Sequence, residues 1–88
     1  MMKKKVQDAF NAQINEELYS SYLYAAMRAA FEGMNLKGYA NWMRLQVEEE
    51  LFHARKFTDF VFERGGNVEL KAIKQPPAKW DSPLAMFE

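Results

Sequence analysis

Glu48-Glu49-Glu50-Leu51-Phe52-His53 holds the only histidine of the 88-residue chain, three residues after a glutamate. The run sits in a proline-free stretch, residues 36–64, whose apolar residues recur at helical spacing: Leu36, Tyr39, Ala40, Met43, Val47, Ala54, Phe57 and Val61. Glu50 and His53 fall on this stripe. Arg44, Glu48, Arg55, Asp59 and Glu63 fall on the opposite side. The spacing predicts one long amphipathic helix. Gly65-Gly66 closes it, with Arg64 near its negative end. Ionisable groups on a core-facing stripe are costly unless something neutralises them.

Upstream, no proline or glycine interrupts residues 4–32. Val6, Phe10, Ile14, Leu18, Tyr22, Ala25 and Ala29 keep helical spacing, and steps through Phe10 and Ile14 also collect Glu17, Ser21, Tyr24, Met27 and Phe31. The apolar face is broad, as in a helix of a bundle. Gly33 is the expected stop and Asn35 the expected N-cap of the next helix. So short a turn makes the two helices antiparallel neighbours.

Downstream, residues 65–81 lose the helical period, and Pro76-Pro77 excludes helix. Ser82-Pro83 reads as an N-cap followed by proline at the first helical position, so residues 82–88 are expected to begin a third helix. A helix of about 28 residues is about 42 Å long. The connection, if extended, reaches about 55 Å. It can therefore run the length of the hairpin and start a helix parallel to the second one.

Twelve basic residues balance twelve acidic ones, so charge gives no case for nucleic acid or an anionic membrane. Cysteine is absent, which excludes a disulfide framework, a thiol nucleophile and a cysteine-based zinc site. No apolar region follows the Lys3-Lys4-Lys5 run, and no apolar run is long enough to span a membrane. A cytoplasmic protein is expected.

With nine glutamates in the chain, one of them three positions before the histidine is common by chance. A hydrogen-bonded core histidine beside a solvated glutamate face is the plain reading. Three features favour a metal site. Glu50, His53 and Glu17 all share a face with apolar residues. Glu17 lies 17 residues before Met34, while Glu50 and His53 lie 16 and 19 after it. Along an antiparallel hairpin their heights agree to within about 3 Å. Finally, a carboxylate from one helix with Glu-x-x-His from the next is half of a di-metal carboxylate centre. Such a donor set suits Fe²⁺, Mn²⁺ or Zn²⁺.

Several motifs then carry a resemblance: Asn15-Glu16-Glu17-Leu18-Tyr19-Ser20, Tyr22-Leu23-Tyr24, Ala40-Asn41-Trp42-Met43, Glu48-Glu49-Glu50 with His53, Pro76-Pro77, and Trp80 with Ser82-Pro83-Leu84. The chain resembles the N-terminal half of a prokaryotic non-haem ferritin subunit. The resemblance implies an all-α, ferritin-like half of a four-helix bundle with a long crossover. It implies iron storage and ferroxidase activity, with oxygen or peroxide as oxidant, in a homo-oligomer that forms a cage. Glu17, Glu50 and His53 would bind the first iron, and Glu50 would bridge to a second. Glu49 matches a residue that helps form an additional iron site. Tyr24 matches a tyrosine close to the centre, where it can donate a hydrogen bond or an electron; filling the core is its other reading. Leu51 stands where bacterioferritin has its haem-ligand methionine, so no haem is implied.

In that family the remaining ligands come from the third and fourth helices, and no residue of this chain matches them. The sequence is then either a shortened subunit or one of two chains that complete a bundle together, a symmetric arrangement closer to rubrerythrin or bacterioferritin. A catalytically silent assembly module is the third reading. Trp42, Leu45 and Phe52 lie off the main stripe and are expected at an interface. Val68 to Ile73 are expected to form a short strand between subunits.

Overall fold

The computed structural model describes residues 2–87. Two helices carry the fold, α1 (Lys4–Gly33) and α2 (Lys37–Glu63), followed by a 3₁₀ turn at Leu84–Phe87. The described residues contain no strand, and the fold is all-α. The hairpin is a rod, with extents of 49 × 20 × 18 Å. No helix among the described residues is long and apolar enough to cross a membrane.

The turn between the helices differs from the sequence expectation. Asn35 is not the N-cap of α2; Leu36 occupies that place, without a side-chain cap. Asn35 instead ends α1 in the left-handed region, at φ 60°. Its N–H donates to Glu32 O at 3.1 Å, and the Leu36 N–H donates to Phe31 O at 2.9 Å. This is a Schellman closure, with asparagine in the position glycine usually takes. Gly33 is simply the last helical residue. Leu36 then packs into the cluster that holds Phe31. The same closure ends α2. Gly65 has φ 74°, the Gly65 N–H donates to Phe62 O, and the Gly66 N–H donates to Val61 O. A Cβ on Gly66 would lie 3.0 Å from both Val61 Cγ1 and Gln7 Oε1, a tight fit that a larger residue could enter only if these side chains shifted by a few tenths of an ångström.

The buried face of α1 is the second of its two apolar series. Ser21, Met27 and Phe31 are buried along with Ile14, while Tyr22, Ala25 and Ala29 stay exposed. The stripe on α2 buries Ala40, Met43, Ala54 and Val61, while Arg44, Glu48, Arg55, Asp59 and Glu63 on the opposite face are exposed. Ser21 is accommodated by donating to Val47 O across the helix pair at 3.3 Å. Met86 returns from the far end of the chain to join Met27, Phe31, Ala40 and Met43, with Trp80 against them.

The crossover is held by side-chain amides of α1. The Asn67 N–H donates to Gln7 Oε1, Asn11 Nδ2 to Asn67 O, and the Glu69 N–H to Asn11 Oδ1. One turn on, Asn15 Nδ2 donates to Glu69 O and the Lys71 N–H donates to Asn15 Oδ1. The spacing explains the match: four helical residues rise about 6 Å, and two extended residues span about 6.6 Å. Gln7, Asn11 and Asn15 therefore pair with alternate residues of an extended segment. Among the described residues Val68 to Ile73 form no strand within the chain; helix amides take the place of a partner strand. Lys74 continues the path over the Tyr19 ring, 5.0 Å from its centroid. Asn11→Leu is expected to destabilise the hairpin by about 1 kcal/mol, through the loss of two part-buried hydrogen bonds to the crossover backbone. Hydrogen exchange at the Glu69 amide is expected to accelerate more than at Lys71, whose partner is Asn15.

Where a third helix is expected to begin, the described residues form a 3₁₀ turn, Leu84–Phe87. The Ala85 N–H donates to Ser82 Oγ, so the expected cap forms. The Met86 N–H then bonds to Pro83 O, a 3₁₀ rather than an α bond. Phe87 lies against Phe31, Tyr39 and Trp42, at the level where α2 begins. Glu88, the last residue of the expected helix, lies outside the described residues.

Candidate metal centre

Midway along the hairpin the two helices bring Glu17, Glu50 and His53 together, with one ligand atom from each within 4.8 Å of the others. His53 Nδ1 lies 3.7 Å from Glu17 Oε2 and 3.8 Å from Glu50 Oε2. These separations are too long for hydrogen bonds. They are those of donors that can each approach a shared ion to about 2.1 Å. The matched heights follow from the Schellman turn, which sets α2 back along α1 without a loop.

The two carboxylates are largely covered, each with a side chain 16% exposed, whereas His53 is 41% exposed. Among the described residues no lysine or arginine pairs with either of them. A hydrogen bond with Glu17 raises the Glu50 carboxyl to about 7; burial and the Glu17 charge push the same way, and His53 opposes them. That same bond, given by protonated Glu50, holds Glu17 below the usual carboxylate range. Gln13 and His53 assist it against burial. One proton between two covered carboxyls is what remains when no cation neutralises them. Two oxygens and one imidazole nitrogen, with no basic side chain in competition, fit a divalent transition metal.

Glu49 lies at the edge of this group. Its Oε1 is 3.9 Å from His53 Nε2 and its side chain is 56% exposed. Tyr24 stands two turns beyond Glu17 in the helix, about 10 Å of rise, and packs against the cluster of Met27, Phe31 and Met43. Glu48 is exposed on the far face of α2. Gln13 was not expected from the sequence. Its Nε2 donates to Glu17 Oε1 at 2.9 Å, and its position four residues before a core-facing glutamate was the available signal.

A family model described as a ferritin-like domain matches residues 7–88. The chain belongs to the ferritin-like domain family. Over its 88 residues it is 40% identical to a bacterial non-heme ferritin of Bacteroides fragilis, of which it covers 55%. To a bacterial non-heme ferritin of Staphylococcus saprophyticus it is 36% identical, covering 53%. Among solved structures, the open pore ferritin of the hyperthermophilic archaeon Archaeoglobus fulgidus superposes with a TM-score of 0.94 at 54% identity, covering 99% of this chain and 53% of that one. A closed form of the same ferritin, engineered by site-directed mutagenesis, gives a TM-score of 0.95 at 54% identity, with the same coverage. The chain thus spans about half the length of the ferritins it matches. The hairpin with its crossover is the half-subunit of the ferritin-like fold.

Proposed function

We propose that this chain supplies half of a ferroxidase centre in an iron-storing protein. The observation that carries the reading is the convergence of Glu17, Glu50 and His53 on one point between two helices. Iron(II) is the substrate. It loses an electron to oxygen or peroxide and is stored as ferric oxo-hydroxide. Glu17 and Glu50 offer negative charge, and His53 fixes one direction of approach through Nδ1. Glu50, central in the group, is the residue suited to face two ions at once. Glu49, on the exposed side of His53, is suited to an additional iron. Tyr24 belongs to the apolar wall above the centre, where it can act as electron donor.

The facing pair of helices comes from further sequence or from a second chain. Beside the stripe that carries His53, α2 also presents Tyr39, Trp42, Leu45 and Phe52, all about half exposed. Two further helices would cover this surface, and the outward part of it serves assembly into an oligomeric shell. The crossover contributes as well: Val68 and Leu70 alternate with the residues that α1 holds, which leaves their backbone edge free to pair with the same segment of another subunit. We place the protein in the cytoplasm and assign it no haem.

Anaerobic titration with Fe²⁺ tests the reading. Saturable binding, followed by oxidation on admission of air and by uptake beyond the number of sites in a closed assembly, is the expected result. Failure of the assembled protein to bind Fe²⁺ would refute it. Metal binding must also displace the Glu50 proton. Affinity is therefore expected to fall as pH drops below about 7, by at least about tenfold per unit, the Glu50 proton and any proton on His53 being released on binding. Titration with Co²⁺ between pH 5.5 and 8 checks the slope.

A further inference from the structure

We propose that Gln13 is a positioning residue for this centre, its amide holding one oxygen of Glu17 so that the other is committed to the metal. The proposal rests on the metal-centre reading above. Gln13 Nε2 donates to Glu17 Oε1 at 2.9 Å. The other oxygen, Oε2, is the one that lies 3.7 Å from His53 Nδ1. The two oxygens of one carboxylate thus have different partners on different sides. The orientation of the amide is not arbitrary, because an ionised carboxylate only accepts and Nε2 is the only donor of the Gln13 side chain.

An ordinary i,i+4 pair on a helix surface has two exposed partners and little consequence. This one joins an exposed glutamine to a carboxylate whose side chain is only 16% exposed. The donor reaches in from the helix surface and restricts the rotation of a group that would otherwise choose among several orientations. It also does so without charge. A lysine or arginine in this place would neutralise Glu17 and compete with a cation, whereas an amide leaves the negative charge available. Partners of this kind, which orient a ligand without touching the metal, typically change affinity by about 10–100-fold.

Gln13→Met keeps the length and the helix propensity and removes the donor. Co²⁺ is the probe, with affinity and visible absorption measured on the whole chain. Helicity and the thermal midpoint of the metal-free protein are measured alongside. Expected are an affinity about tenfold weaker than wild type, an altered cobalt band, and unchanged metal-free helicity and midpoint. Equal affinity with an identical band would overturn the role of Gln13 and leave the metal centre standing. A loss of metal-free helicity large enough to explain the weaker binding would overturn it too. Wild-type protein that binds no Co²⁺ would instead remove the metal centre itself, and this proposal with it.

Discussion

Glu50→Ala is expected to weaken Fe²⁺ binding by more than about 100-fold, beyond the range for a residue that only orients a ligand. The same variant is expected to leave the metal-free hairpin as stable as wild type, or more stable, at pH 8. Glu50 holds a proton up to about 7 because Glu17 lies against it in a covered site. A carboxyl whose folded pKa is raised contributes stability that is fully present below the ordinary glutamate range, near 4.5, and is lost as pH rises through about 7. Above that point two covered carboxylates repel each other, so removing one relieves strain. Glu17, shifted down, works in the opposite sense, and its contribution is lost as pH falls through its lowered value. The advantage of Glu50→Ala is therefore expected to disappear toward pH 5. His53→Ala should lose metal affinity as severely without any gain in stability, because His53 is the group that favours the charge on both carboxylates. Anaerobic Fe²⁺ titration and urea unfolding at pH 8 and pH 5 separate these cases. A site kept for packing alone would give the reverse pattern: stability lost and metal binding untouched.

Phe31→Ala is expected to cost about 3–5 kcal/mol, the usual range for deleting a fully buried aromatic side chain. Phe31 has no exposed surface and is the largest side chain of which this is true. Its ring meets Tyr39 at 5.3 Å and Phe87 at 5.9 Å, so it joins α1, α2 and the returning end of the crossover. A single core this small rarely provides more than about 3–5 kcal/mol. The variant is expected to lose its cooperative thermal transition and most of its helical signal in far-ultraviolet circular dichroism. Tyr22→Ala is the contrast. Tyr22 is 54% exposed on the other side of α1, and its removal is expected to change stability by less than about 0.5 kcal/mol. Equal losses in the two variants would show that the core has been misplaced.

The helical period and the breaks at Gly33 and at Gly65-Gly66 made the hairpin legible in the sequence. Glu17 could be set level with Glu50 and His53 by counting residues, because a tight turn leaves helix rise as the only variable. What the sequence did not disclose was how that turn is made. Asn35 has the chemistry of an N-cap and of a left-handed closing residue alike, and only the bond from the Leu36 N–H to Phe31 O decides between them. Which of the two apolar series of α1 is buried was similarly open, since Tyr22 and Met27 fit the helical spacing equally well. The amides at Gln7, Asn11 and Asn15 keep a four-residue spacing, yet polar residues at such intervals usually mark a solvated face. Their partners are backbone groups more than fifty residues away, which no local pattern can specify. Gln13 escaped for the opposite reason: its partner is one turn away, where amide and carboxylate pairs are common.

The place of Tyr24 follows from the same geometry. Seven residues bring a side chain back to nearly the same face of a helix, about 10 Å further along it. That shared face could be read from the sequence, whereas the packing of Tyr24 against Met27, Phe31 and Met43 could not.

Anomalous scattering at the iron edge, from crystals of the protein loaded anaerobically with Fe²⁺, tests the central claim most directly. The expected result is a peak about 2.0–2.2 Å from Glu17 Oε2, Glu50 Oε2 and His53 Nδ1. A loaded crystal whose iron lies elsewhere, with these three side chains still facing one another across an empty space, would contradict it.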